Sequence, residues 1–185
     1  MENQSKDIAI GNFNDVARIS KMFFESGRFK DLTSAAQVGV KIMCGAELGI
    51  SPFQSMSGVH IIQGKPCIGA GLMASKVDQH PAYDYEVLQQ TDAVCEIKFF
   101  KNGKEKGISK FTAEDAKRAG TQNMQKFPAN MLFARAMSNG IKFYCPGVFA
   151  GPVYTPEEMG DKTEDVQHEV IPQKETLNIP ENANN

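Results

Sequence analysis

The residues best placed to do chemistry in this chain are cations. Ten lysines and arginines lie between Lys98 and Lys142, namely Lys98, Lys101, Lys104, Lys106, Lys110, Lys117, Arg118, Lys126, Arg135 and Lys142. Glu105, Glu114 and Asp115 alone oppose them, which leaves seven net positive charges in a chain whose formal net charge is −2. Such a concentration is an electrostatic footprint for a polyanion, and its chemistry is phosphate neutralisation. Bond-making machinery is not evident. No Ser-His-Asp or Cys-His arrangement stands out, no carboxylate pair suggests acid–base work, and His60, His80 and His168 are scattered. The cysteines, Cys44, Cys67, Cys95 and Cys145, lack zinc spacing and sit among apolar residues, as buried free thiols in a reducing compartment do.

Two glycine motifs are tempting and fail. Gly58 to Pro66 resembles a phosphate loop, but it has one residue too many between the glycines, and Pro66 stands where a hydroxyl must hold magnesium. Gly69-Ala70-Gly71-Leu72-Met73-Ala74, with Asp92 downstream, matches a loose dinucleotide fingerprint. The strands that follow it read as an antiparallel hairpin, whereas the fingerprint needs a parallel partner strand. Close helix packing is the better use for those glycines.

The elements that must position the cations follow from periodicity. Pro128 suits the first turn of a helix, and an apolar pattern runs from there to about Tyr144. At about 100° per residue, Asn139 and Lys142 fall within ~40° of Arg135, with Ser138 nearby. Phe133, Met137, Gly140 and Tyr144 fall opposite. One face is therefore expected to be buried, and the other to carry Arg135, Asn139 and Lys142 in a line. That line is either a solvated helix face or a phosphate-tracking one. Phe127, Phe143 and Tyr144 either stack on bases or belong to the core.

Upstream, an amphipathic helix is expected from Asn14 to Gly27, with Val16, Ile19, Met22 and Phe23 as its stripe. A second helix, capped by Thr33 or Ser34, runs through Ala36, Val40, Met43, Cys44 and Leu48 and stops at Gly49, with Gly39, Gly45 and Ala46 making one side small. Ser51-Pro52 opens a short helical turn carrying Phe53 and Met56. Val59–Gln63 and Pro66–Ile68 form a short hairpin, and Ala70–Val77 is helical. Strands are expected at Tyr83–Leu88, Ala93–Phe100 and Lys106–Phe111, with Asn102-Gly103 as a hairpin turn that displays its lysines at the tip and along the edge. Those lysines also serve to block edge-to-edge aggregation. Thr112-Ala113-Glu114-Asp115 and Thr155-Pro156-Glu157-Glu158 read as helix starts with capping acids.

The fold class is thus α+β, with small antiparallel hairpins packed against several helices. The expected organisation is a loose terminus over 1–12, one domain over 13–160, and an acidic, disordered tail over 161–185. No stretch is apolar enough to span a membrane, and the N-terminus lacks a signal pattern, so a cytoplasmic protein is expected.

With these residues laid out, the chain resembles the RecT family of phage recombination proteins over roughly Ala36 to Met159. The resemblance rests on Ala46-Glu47-Leu48-Gly49-Ile50-Ser51-Pro52 with Gln54, then Gly64-Lys65-Pro66 and Leu72-Met73-Ala74. It continues through Phe111-Thr112 with Glu114-Asp115-Ala116-Lys117, then Phe127-Pro128 with Met131-Leu132 and Arg135-Ala136, and Tyr154-Thr155 with Glu157-Glu158. It implies a non-enzymatic, ATP-independent protein that binds and anneals single-stranded DNA as a ring or filament in a bacterial host. A phage exonuclease or a host single-strand binding protein is the implied partner. No cofactor is expected, and magnesium enters only as a solution ion that modulates annealing. Arg135 and Lys142 match basic positions on the family's DNA-contacting helix. The full candidate DNA-binding set is Lys65, Lys98, Lys101, Lys110, Lys117, Arg118, Lys126, Phe127, Arg135, Asn139 and Lys142. The chain departs from the family at Met124, where tryptophan is common, at Ala129 and Asn130, where basic residues are common, and in lacking a longer C-terminal region. These departures favour a second reading: a shortened relative that joins or inhibits another recombination protein. A third, a small nucleotide-binding enzyme, would need Gly69–Ala74 to cradle phosphate.

Overall fold

The computed structural model describes residues 12–62, 64–149 and 153–159. The expected acidic tail and the first eleven residues lie outside them. The element order is α1 (Phe13–Glu25), α2 (Ala35–Glu47), α3 (Pro52–Gly58), β1 (Val59–Ile62), β2 (Lys65–Ile68), α4 (Ala70–Asp78), β3 (Tyr83–Gln90), β4 (Val94–Lys101), β5 (Lys104–Thr112), α5 (Ala113–Ala119), α6 (Pro128–Tyr144) and α7 (Pro156–Met159). The class is α+β, as composition and periodicity indicate.

Two antiparallel sheets form, β1-β2 and β3-β4-β5. The turn between β4 and β5 places Asn102 at φ 51° and Gly103 at φ 72°, the left-handed pair that a two-residue hairpin requires. Alternation then decides the faces. Cys95, Ile97 and Phe99 of β4 and Ser109 and Phe111 of β5 turn inward and are buried, while Glu96, Lys98 and Lys110 turn outward. Thr112 and Asp115 close a full capping box, with each side chain taking the other's backbone N–H, and Gly120 ends α5 at φ 66°.

Helix α6 lies across the inner face of the larger sheet, and the Ser109 hydroxyl donates to the Ala136 carbonyl at 2.7 Å. Leu132, Ala136, Met137 and Ile141 of α6 join Ile97, Phe99, Met73, Val77 and Ile68 in the main core. A second, smaller cluster of Val16, Val38, Ile42 and Met56 holds α1, α2 and α3 together. Here the sequence-based stripe of α2 is corrected. Val38, Lys41, Ile42 and Gly45 are the buried positions, and Ala36, Val40 and Met43 are exposed. The apolar residues of α2 exceed one face, so periodicity alone admits two phases. Contact with α1 and α3 selects the one that presents Gly45 to the Ser55 side chain.

All four cysteines are free thiols; Cys67, Cys95 and Cys145 are buried and Cys44 is half-buried. Burial pushes the thiols of Cys67, Cys95 and Cys145 up to about 11. The folded chain therefore keeps these protons where an unfolded thiol sheds them, so their contribution to stability is lost as pH rises past the usual thiol range. A thiol reagent at about pH 8 is expected to label Cys44 first and the other three only on unfolding. Labelling of all four at one rate would contradict this packing.

Candidate nucleic-acid interface

Helix α6 sets the geometry. Its seventeen residues span about 25 Å at ~1.5 Å per residue. The expected solvent-facing line of Arg135, Asn139 and Lys142 is not open. The chain returns at 153–159 and lays α7 over it. Lys142 Nζ reaches Glu158 Oε2 at 2.5 Å, and Arg135 Nη1 stands 3.8 Å from Glu158 Oε1. The Glu158 side chain is only 6% exposed and that of Arg135 only 17%. Arg135 also lies over the Phe111 ring, and Lys142 over the Tyr154 ring at 4.4 Å. Asn139 is half-buried and Ser138 fully buried. The helix is thus packed on both sides, with the sheet on one and α4 and α7 on the other.

Segment 153–159 is tied to β2. The Ile68 amide donates to the Tyr154 carbonyl at 2.7 Å, and Cys67 and Tyr154 form an isolated parallel bridge. Lys65 places its ammonium 5.6 Å from the centre of the Tyr154 ring. Burial pushes His60 below the usual histidine range, with Lys41 acting in the same direction and Asp31 and Glu157 opposing. Glu157 and Glu158 add to the upward push that burial gives Cys67. The two acids of α7 thus face β1 and β2 as well as α6.

The remaining cations fall into three groups. On the outer face of the sheet, Lys98 pairs with Glu105 at 3.3 Å and Lys110 with Glu96 at 2.7 Å. At the β4–β5 tip, Lys101, Lys104 and Lys106 are exposed, Lys101 5.0 Å from the centre of the Tyr83 ring. At the α5–α6 connection, Lys117, Arg118 and Lys126 are exposed. Arg118 pairs with Asp115, whose carboxyl is held below its usual range by hydrogen bonds from Thr112 and by Arg118. Lys117 and Lys126 line an open cleft of about 610 Å³ together with Asn123, Met124 and Gln125.

Five of the ten cations between Lys98 and Lys142 therefore have no carboxylate partner among the described residues: Lys101, Lys104, Lys106, Lys117 and Lys126. They gather at opposite ends of α6. Its first end carries Phe127, 56% exposed, beside Lys126, and its last end carries Phe143, 74% exposed. Of the two roles open to these rings, core burial does not hold for Phe127 or Phe143; Tyr144 instead packs on Phe99, with ring centres 5.9 Å apart. Lys104, Lys106 and Phe143 are surface features that the candidate set lacked. Their proximity to a tight turn and to a helix end was the available signal.

The sequence-predicted residues thus do not form one groove. Lys65, Arg135, Asn139 and Lys142 stand around α7, Lys98 and Lys110 on the outer sheet, Lys101 at the tip, and Lys117, Arg118, Lys126 and Phe127 at the cleft. Among the described residues no group of histidine, cysteine and acidic side chains is arranged to hold a metal ion, and no helix is long and apolar enough to cross a membrane. No family model matches the chain, and comparison with curated proteins and with solved structures gives no match either.

Proposed function

We propose that this chain binds single-stranded DNA through its phosphates and anneals complementary strands, acting as an oligomer with a RecT-like core and no bond chemistry. The observation that carries this reading is that unpartnered lysines and an exposed phenylalanine occur toward each end of α6: Lys117 and Lys126 line the cleft that precedes Phe127, and the hairpin carrying Lys101, Lys104 and Lys106 is tied to the end that bears Phe143, the Tyr144 hydroxyl donating to the Ile108 carbonyl at 3.3 Å. Lysine neutralises backbone charge without reading sequence, and a solvent-facing ring offers a platform for any base. Both leave the pairing edges of the bases free. Two short cationic stations on one protomer give weak binding, and repetition along an oligomer multiplies it. A bacterial cytoplasm, an exonuclease or single-strand binding protein as partner, and acidic residues over 161–185 that compete with DNA complete the proposal.

A second reading, a protein-interaction module, is favoured by the apolar surface of α1–α3. Phe13 is 72% exposed and Phe53 67%, with Met22, Val40 and Met43 also open. Surfaces of this kind mark protein contacts. The two readings separate on titration of a labelled oligodeoxythymidylate in rising salt. Annealing predicts binding whose log–log salt slope reaches about 3.5 per protomer, from five lysines at ~0.7 each. Absence of binding at low salt would leave the interaction module standing.

A further inference from the structure

Of the six buried side-chain polar atoms without a hydrogen-bond partner among the described residues, five lie on α6 or on the segment 153–159 that packs against it: Arg135 Nε, Ser138 Oγ, Thr155 Oγ1, Glu157 Oε2 and Glu158 Oε1. Buried polar groups are ordinarily satisfied, so a cluster of this kind marks a contact made for something other than stability. The α6 side offers donors with nothing to accept from them, the Arg135 Nε–H and the Ser138 hydroxyl. The anion that meets the α6 cations, Glu158, reaches Lys142 with one oxygen and stands 3.8 Å from Arg135 with the other, beyond hydrogen-bond reach.

We propose that α7 is an autoinhibitory latch: the Glu158 carboxylate occupies a phosphate site made by Arg135, Ser138 and Lys142, and a nucleic-acid phosphate displaces it. This deepens the annealing reading and rests on it. The exchange replaces one negative charge by another, so the charge balance of the pocket is unchanged. A phosphodiester brings two anionic and two weaker ester oxygens in a tetrahedral array, against a carboxylate's planar pair, and so offers acceptors in directions that Glu158 does not. The segment is built to swing. Its base is fixed by the Ile68–Tyr154 hydrogen bond and by buried Val153 and Thr155. Beyond that base α7 is a single turn of four residues with no fully buried member, held by the amides of Glu158 and Met159 donating to the Thr155 carbonyl at 3.0 and 3.4 Å. The Thr155 hydroxyl, which would cap a durable helix, has no hydrogen-bond partner among the described residues. Tyr154 lies on the fixed side, so its ring remains under Lys142 when α7 leaves.

The test compares the full chain with Glu158→Gln in binding labelled oligodeoxythymidylate across a salt series. Arg135 and Lys142 meet phosphate in both complexes, but only the unaltered chain must first expel a carboxylate. The salt slope is therefore expected to be shared and the variant's affinity at ~0.1 M salt to rise by roughly tenfold or more. If the unaltered chain binds and the variant matches it in affinity, the latch is wrong and the annealing reading survives. If neither binds at low salt, the reading fails and the latch with it. A measurement without substitution guards against a misfolded variant. Adding the oligonucleotide to the unaltered chain is expected to speed hydrogen exchange at the Glu158 and Met159 amides, and unchanged or slowed exchange there overturns the latch.

Discussion

Gly140→Ala is expected to lower the melting temperature by about 4–8 °C, although alanine is the better helix former. Two effects compete. Removing glycine from the middle of α6 favours the helix by ~1 kcal/mol. Against this, a β-carbon at position 140 would lie 2.0 Å from Phe99 Cε2 and 2.3 Å from Phe99 Cζ. The Phe99 ring is fully buried, between Tyr85 at 6.4 Å and Tyr144 at 5.9 Å by ring centres, so it has nowhere to retreat. Overpacking of this kind costs up to ~3 kcal/mol, which outweighs the helix gain by about 2 kcal/mol. Gly71→Ala in α4 is the control. Nothing stands within 4 Å of its would-be β-carbon, so the same exchange is expected to leave stability unchanged or raise it by up to ~1 kcal/mol. Thermal unfolding followed by circular dichroism decides both. Equal shifts in the two variants would mean that α6 does not press on Phe99.

Neutralising the hairpin tip, with Lys101, Lys104 and Lys106 each changed to glutamine, is expected to weaken single-strand binding about 100-fold at ~0.1 M salt. Three lost phosphate contacts at ~0.7 each remove about two from the log–log salt slope, and one decade of salt below 1 M converts that to two decades of affinity. Stability should barely move, because all three side chains are exposed and none has a carboxylate partner among the described residues. Lys98→Gln and Lys110→Gln are expected to do much less. Glu105 and Glu96 already balance those charges, at 3.3 and 2.7 Å. The contrast is read by fluorescence anisotropy with a labelled oligonucleotide. An equal loss from both sets would extend the contact over the outer sheet face and contradict the distinction between paired and unpaired lysines.

Much of the fold was legible in the sequence because its signals are local. Asn102-Gly103 fixed a turn, Thr112 and Asp115 a helix start, and Pro128 the first turn of α6, each through bonds made within four residues. The alternation of Cys95, Ile97 and Phe99 gave the inner face of β4 for the same reason. Tertiary choices were not legible. The phase of α2 depended on which apolar face met α1 and α3. The line through Arg135, Asn139 and Lys142 was correct as helical geometry, yet its surroundings were set by Glu158, sixteen residues beyond Lys142. Nothing in the spacing of a helix says that a later segment will return to cover it. The Thr155 start was read correctly as a helix, but its hydroxyl makes none of the bonds of a capping box. Phe127 and Phe143 were harder still, since an aromatic at a helix end is core or surface according to where the neighbouring loops run.

Annealing itself is the most direct test of the central claim. Two complementary single strands are mixed with the purified chain, without ATP, and duplex formation is followed by a fluorescence reporter as salt rises. Duplex formation faster than the spontaneous rate, fading as salt screens the lysines, is the expected result. Duplex formation at the spontaneous rate at every salt concentration, with no strand bound at the lowest, would contradict the account and turn attention to the apolar surface of α1–α3 as the working face of the molecule.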